Sequence, residues 1–304
     1  MLQAVIDIGT NTFNLVIADD RTGETLHNEK KAVRLGMGGI SKGIIADDAA
    51  ERAVQTLLYY KEVINRFQVD ETVVTATSAV RNAGNKDIFI NKVANQTGFD
   101  VQVLSGEEEA NLIYLGVKHY LTFDEGAELI IDIGGGSVEF IIANSKEFLW
   151  MRSLEIGGQR LMDKFHTSDP ISPEEIDSLI IYLTEQLSEV LQECRRHKVK
   201  SMIGSAGSFD TLQDMLLETV ELTPEDHEIP LDYFEATCQK LTTSKRDERL
   251  AIPGMIEMRV DMIVVASLLV KFLITQLDIS KLRVSQFALK EGILFGNTSE
   301  NLKN

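Results

Sequence analysis

The sequence predicts an α/β protein of two similar domains, each built on a mixed sheet, facing one another across a cleft. Three observations predict it. A strand–loop–strand pattern occurs twice, about half a chain apart. Short apolar runs of strand length alternate with longer stretches of helical periodicity. The chain has 304 residues with a hydrophobic content of 44%, enough for two ordinary globular domains. The boundary falls near the polar stretch 121–125, giving domains over 1–121 and 122–304, with the closing helix free to pack back on the first.

The repeat is the core of the prediction. Residues 129–143 read L-I-I-D-I-G-G-G-S-V-E-F-I-I-A, an apolar strand with Asp132 near its end, the glycines Gly134, Gly135 and Gly136, Ser137, and a second apolar strand. A buried strand does not carry an aspartate beside a glycine run without a use for both. Glycines let backbone N–H groups approach a phosphate, and concave amide loops bind anions. A dinucleotide site would need a helix after the glycines, whereas β-branched and aromatic residues follow, so the loop joins two antiparallel strands. Taken alone it could be a plain hairpin. Residues 4–18 read A-V-I-D-I-G-T-N-T-F-N-L-V-I-A and superpose on it. Asp7 then falls on Asp132, Gly9 on Gly134, Thr12 on Ser137 and Asn14 on Glu139. A repeat of this length points to duplication, with both loops aimed into one cleft.

The other elements follow in order. Strands are expected at 4–9, 12–19 and 25–35, the last ending in R-L-G-M-G-G. Lys30, Lys31 and Arg34 there form a basic cluster that suits a solvated edge, with Arg34 left open. A helix is expected at 47–67 and a buried strand at 71–76. That strand leads into Thr77, Ser78 and Arg81 at its carboxyl end, the edge where open α/β sheets bind ligands. Arg81 could clamp a phosphate or form a surface ion pair. Next come a helix at 87–97, a strand at 101–104 and S-G-E-E-E-A at 105–110. Ser105 and Glu108 fit a capping box, and Glu107 suits the helix dipole. Glu109 instead shares the apolar stripe with Leu112, Ile113, Gly116 and Tyr120. It is either a partly desolvated general base or a core glutamate in a buried ion pair. Beyond the central hairpin we expect a strand at 146–156, Gly157 and Gly158, and one long helix from Pro173 to about His197. A strand at 199–203 enters G-S-A-G-S, a third small-residue loop between a strand and a helix, of the kind that tight strand–helix packing alone would select. A linker is expected at 222–230, a charged helical stretch at 231–250, a buried helix at 255–277 carrying Arg259 and Asp261, a strand at 282–285, a helix at 289–296 and a frayed tail at 297–304.

Six ordered segments carry a resemblance. D-I-G-T-N-T at 7–12 and D-I-G-G-G-S at 132–137 are similar to the two phosphate motifs of the actin, Hsp70 and sugar-kinase superfamily, which has ribonuclease H-like domains. With T-S-A-V-R at 77–81, S-G-E-E-E-A at 105–110, G-S-A-G-S at 204–208 and L-K-E-G-I-L at 289–294, order and spacing resemble the exopolyphosphatase and guanosine pentaphosphate phosphohydrolase (Ppx/GppA) family over nearly the whole chain. The resemblance implies a hydrolase of terminal phosphoanhydrides. It makes Glu109, the last acidic residue before Ala110, the catalytic glutamate, and tips Arg81 toward phosphate. In the nucleotide-binding proteins that this chain resembles, the position of G-S-A-G-S meets the nucleoside or its phosphates, which makes Gly207 and Ser208 further phosphate-binding candidates. Departures are Thr10, Thr12 and Asn14 for the frequent serine, serine and histidine, and G-S-A-G-S for G-x-x-G-T. Longer members carry further C-terminal domains not found in this sequence, which weighs against processive digestion of long polymers.

Composition narrows the partners. The net charge of −17 repels polyanions at long range and argues against nucleic acid. No apolar run is long enough for a membrane span, and the N-terminus does not read as a signal peptide. Cys194 and Cys238 have no neighbouring partner in the sequence, which suggests a reducing, cytoplasmic setting and no metal cluster. The five histidines lack metal-ligand spacing. The expected partners are polyphosphate or a phosphorylated guanosine nucleotide, and a homodimer is the candidate assembly. The expected chemistry uses Glu109 as base and Arg81 as cation. Gly9, Thr10, Asn11, Thr12 and residues 134–137 would bind phosphate. Asp7, Asp132 and Glu139 would hold Mg²⁺ or another divalent cation. The rivals are an ATPase or kinase of the same superfamily, a non-catalytic polyphosphate or alarmone sensor, and a purely structural protein.

Overall fold

The structure, a computed structural model, describes residues 1–219 and 227–296. The elements run β1 Leu2–Ile8, β2 Thr12–Asp19, β3 Thr25–Ala32, α1 Asp47–Phe67, β4 Glu71–Ala76, α2 Ser78–Arg81, α3 Lys86–Thr97, β5 Gln102–Val103 and α4 Gly106–Tyr120. They continue as β6 Glu128–Ile133, β7 Val138–Ala143, β8 Phe148–Leu154, α5 Gly158–Phe165, α6 Pro173–Gln186, α7 Ser188–Arg196, β9 Ser201–Ser205 and α8 Gly207–Leu217. Last come α9 Leu231–Thr243, α10 Arg246–Leu250, α11 Met262–Leu277, β10 Lys281–Ser285 and α12 Leu289–Gly296. The chain divides into two compact units. One is Met1–His119 with the described residues from Phe287 on, and the other is Tyr120–Gln286.

Each unit holds one five-stranded mixed sheet, ordered β3-β2-β1-β4-β5 in the first and β8-β7-β6-β9-β10 in the second. The pairings correspond strand for strand. β1 is antiparallel to β2 and parallel to β4, and β6 is antiparallel to β7 and parallel to β9. The central strands read as continuous apolar runs because helices cover both sheet faces. β6 and β7 are buried at every position. In the first unit Tyr60 of α1 is fully buried and donates its hydroxyl to Phe13 O at 2.9 Å, tying the helix to β2.

α12 packs on β1 and β2, within the first unit. It also crosses α4 at two glycines. A Cβ on Gly292 would lie 1.8 Å from Leu112 O, and one on Gly116 would lie 2.2 Å from Ala288 O. Only glycine allows this approach, and it fixes the helix that carries Glu109.

Three expected elements differ. The long helix after Pro173 is interrupted at Leu187 into α6 and α7, although Leu187 N–H still donates to Leu183 O and Leu191 N–H to Leu187 O. The buried helix begins at Met262, not at 255. Residues ahead of it form tight turns, with Met255 N–H on Ile252 O and Arg259 N–H on Ile256 O, and Arg249 Nε takes the carbonyl of Val260 at 3.1 Å. The charged helical stretch splits into α9 and α10 at Ser244. Part of the expected 222–230 linker, and the expected 297–304 tail, lie outside the described residues.

Replacing Gly292 by alanine should destabilise the protein by about 1–3 kcal/mol through overpacking against backbone. A lowered urea midpoint measures it. Gly84→Ala, where the nearest atom to a new Cβ is 3.7 Å away, should be close to neutral.

Candidate functional site

In the first unit β1 places Asp7 one residue from its carboxyl end, between Asn14 on β2 and Thr75 on β4. Asn14 Nδ2 donates to Asp7 Oδ2 at 2.9 Å, while Asp7 Oδ1 is buried with no hydrogen-bond partner. Burial raises the Asp7 pKa to about 6, against the lowering effect of Asn14 and of the Lys290 and Lys30 charges. Lys290 comes from α12, where it pairs with Glu291 at 2.6 Å, and Glu291 also accepts from Ala288 N–H at 2.9 Å. L-K-E-G-I-L thus brings charge to Asp7, a role the sequence motif did not reveal.

The loop at 9–12 follows. Gly9 N–H donates to Thr12 O at 3.1 Å, and Thr10 and Asn11 are buried. Its carbonyls are held from outside: Thr10 O accepts from Gly36 N–H at 2.8 Å, and Asn11 O from Val33 and Arg34 N–H at 3.0 and 2.8 Å. The R-L-G-M-G-G segment is therefore part of the loop's support.

Glu109 lies in the first turn of α4 and Arg81 at the end of α2, just past β4. Arg81 donates to Glu109 Oε2 at 2.7 Å and to Leu104 O at 3.1 Å. The side chains are 15% and 9% exposed, so the pair is largely withdrawn from water. The structure joins the two candidate catalytic residues directly. It shows the buried ion pair of the alternative reading of Glu109, whereas the alternative for Arg81 was a surface pair at a helix start; the same contact fixes the direction of the carboxylate. Glu108 instead caps the helix, with Ser105 N–H on its carboxylate at 2.7 Å, which lowers its pKa.

The second unit repeats the arrangement. Ser285, Ser205, Asp132, Glu139 and Ser153 are register partners on β10, β9, β6, β7 and β8. The equivalent row in the first unit is Gln102, Thr75, Asp7, Asn14 and Lys30. Each sheet therefore carries a line of polar residues in register near the carboxyl ends of β1 and β6, whose other positions are mainly apolar. Ser205 Oγ donates to Asp132 at 2.8 Å and Ser153 Oγ to Glu139 at 2.7 Å. Gly134, Gly135, Gly136 and Ser137 connect β6 and β7, which are antiparallel as expected.

Gly207 and Ser208 open α8 at the end of β9. Ala206 before them has φ 66 and ψ 175, a conformation that disfavours a side chain and so marks strain in this loop. Sequence reasoning placed Arg259 on a helix and gave it no role. Its side chain lies against Gly207, where a Cβ would be 2.0 Å from the guanidinium, and its Nε is buried without a partner. Burial lowers its pKa, against the raising effect of Asp210 and Asp132. A cation held dry beside a small-residue loop and an aspartate is suited to an anionic ligand.

Among the described residues no three His, Cys, Asp or Glu side chains gather in a metal-binding group. Asp132 and Glu139 each already accept from a serine. The unpartnered Oδ1 of Asp7 still fits an ion that keeps most of its water and borrows ligands from phosphate, as Mg²⁺ does.

The same mixed-sheet topology is met twice, and each copy carries a carboxylate and a glycine-containing loop at its strand ends. The model of the Ppx/GppA phosphatase family matches residues 16–301, and the chain belongs to that family. An exopolyphosphatase from Cytophaga hutchinsonii is 39% identical, with a TM-score of 0.92 over 97% of both chains. The Aquifex aeolicus member of the family is 25% identical, with a TM-score of 0.79 over 97% of both chains. Family membership makes the protein a phosphoanhydride hydrolase. No helix of the described residues is long and apolar enough to cross a membrane.

Asp7 gives a pH test. Its folded pKa lies above its ordinary value of 3.8, at about 6, so folding favours the protonated form. That stabilisation is complete below the ordinary value and is lost as pH rises through about 6. Urea midpoints in chelator should show wild type losing on the order of 1–3 kcal/mol relative to Asp7→Asn between acid and neutral pH.

Proposed function

We propose that the protein removes the terminal phosphate from inorganic polyphosphate or from guanosine pentaphosphate, with Glu109 as general base. The observation that carries this is the Arg81–Glu109 contact of 2.7 Å. It presents a desolvated carboxylate with a fixed direction, held by a cation that phosphate oxygens would compete for. The close relative from Cytophaga hutchinsonii bears the exopolyphosphatase name, which supports polyphosphate.

In this reading the backbone amides of 10–12 and 134–137 bind phosphate oxygens, helped by the side chains of Thr10, Asn11, Thr12 and Ser137, while Gly9, whose own N–H is held by Thr12 O, shapes the turn. Gly207 and Ser208 add the amides at the start of α8, with Arg259 alongside. When phosphate reaches Arg81, the guanidinium turns part of its donor set to the ligand and frees Glu109 Oε2 to accept from water. The water oxygen bonds to the terminal phosphorus and its proton passes to Glu109. The bridging P–O bond breaks and its electrons stay on the shortened chain, so the products are orthophosphate and a chain one phosphate shorter. Such transfer depends on positioned charge more than on covalent catalysis.

Phosphatases of this family are in general dependent on a divalent cation. Asp7, and Asp132 with Glu139 through water, would hold Mg²⁺, which offsets phosphate charge when bound. The net charge of −17 makes such local compensation necessary for any polyanionic substrate.

Phosphate release from tripolyphosphate, longer polyphosphate, guanosine pentaphosphate and ATP, with and without Mg²⁺, tests the reading. Glu109→Gln should lower turnover by on the order of 10²–10⁴. Equal turnover in the two proteins removes Glu109 as base. ATP as the best substrate would instead identify the ATPase or kinase rival.

A further inference from the structure

The glycine loop of the second unit is gripped from one side. Gly134 O accepts from Gly158 N–H at 2.8 Å, Gly135 O from Gln159 N–H at 2.9 Å, and Gly136 O from Gly157 N–H at 3.1 Å. Arg160 Nε donates to Gly136 O as well, at 2.9 Å, and its guanidinium also meets Glu155 at 3.3 Å. Every glycine carbonyl of the loop thus points at the residues that open α5. A trans peptide sets its C=O and its N–H on opposite sides. The N–H groups of Gly135, Gly136 and Ser137 must therefore point away from α5, all to one side. That is the concave amide arrangement that binds anions. The first-turn amides of α5 are consumed in the process, so the anion belongs to the loop and not to the helix end.

The first unit uses the same device. The segment after β3 donates to Thr10 O and Asn11 O from Gly36, Val33 and Arg34. This turns the N–H groups of Asn11 and Thr12 the other way by the same geometry. In both units a glycine makes the approach possible. A Cβ on Gly36 would lie 2.6 Å from Thr10 Cγ2, and one on Gly157 would lie 2.4 Å from Gly135 C. In each unit the gripping segment follows the third strand, so the duplication extends to the support as well as to the loop.

We infer that the segment after the third strand of each sheet is the template that aims the phosphate loop's amides, and that Gly157 and Arg160 are positioning residues for substrate phosphate. The inference rests on the proposed phosphohydrolase reading but concerns binding geometry. Both donate to the Gly136 carbonyl and would act on substrate through the loop. Arg160 acts through the Gly136 carbonyl, which explains a cation spent on backbone in a protein that takes anions.

Arg160→Gln, Arg160→Lys and Gly157→Ala are compared with Gly126→Ala, whose Cβ would meet nothing within 4 Å. Two readouts are taken: hydrolysis of inorganic tripolyphosphate, and backbone amide NMR shifts of Gly135, Gly136 and Ser137 on titration with tripolyphosphate. Arg160→Gln should raise KM on the order of tenfold or more, exceeding its effect on kcat, without a matching fall in melting temperature. The three amide shifts should shrink with it, and Arg160→Lys should restore part of both. Gly126→Ala should leave both unchanged. Should Gly157→Ala fail to fold, the Arg160 pair decides. Wild-type shifts absent at all three amides, or KM and shifts unchanged in Arg160→Gln, overturn the inference. Shifts at those amides without phosphate release overturn the hydrolase reading and leave the template standing. Release by wild type with Arg160→Gln unaffected does the reverse.

Discussion

The structure depends on a carboxylate buried near the carboxyl end of an apolar central strand. Taking an ionised carboxylate out of water is costly unless donors surround it. Asp132 meets the demand through Ser205, and Asp7 meets half of it through Asn14, leaving one oxygen unsatisfied and its pKa at about 6. Such a strand cannot slip in register, because a one-residue shift would drive the carboxylate into the opposite face. The polar row across each sheet follows from that pinning. It fixes where the strand ends and where the glycine turn begins.

Around this constraint the helices act as fixtures. α4 carries Glu109 and is locked by the glycine crossing with α12, while α2 supplies Arg81 to the same carboxylate. α12 in turn brings Lys290 into the electrostatic surroundings of Asp7. In the second unit α5 fixes the loop's carbonyls and Arg259 fills the space left by Gly207. Each functional group is therefore set by a neighbour with a close contact, and glycine recurs wherever two backbones must nearly touch.

Much of this was legible in the sequence because duplication and strand periodicity are local signals. The pairing of 4–18 with 129–143 anticipated two sheets of one topology, and β1, β4, β6 and α1 follow directly from their apolar patterns. Glu109 could be singled out because a charge on an apolar helical stripe breaks the pattern. What was not legible depends on contacts across long separations. The Arg81–Glu109 bond joins residues 28 apart, and nothing in T-S-A-V-R fixes whether its arginine seeks a phosphate or a glutamate. Ser205 and Ser153 acquire meaning only once β9 is laid beside β6 and β8 beside β7, and Arg259 only once it meets Gly207. The start of α11 was misplaced for the same reason, since the Arg249 side chain that occupies Val260 O is a tertiary partner.

The chain leaves its first compact unit at His119 and re-enters it at Phe287. As the ribosome delivers the polypeptide, the second unit is contiguous and can consolidate alone. The first stays unfinished until its last helix emerges, with the seat opposite Gly116 vacant and Asp7 without its lysine. Completion of that half is thereby tied to synthesis of the far end, so a prematurely terminated product lacks one wall of its first unit.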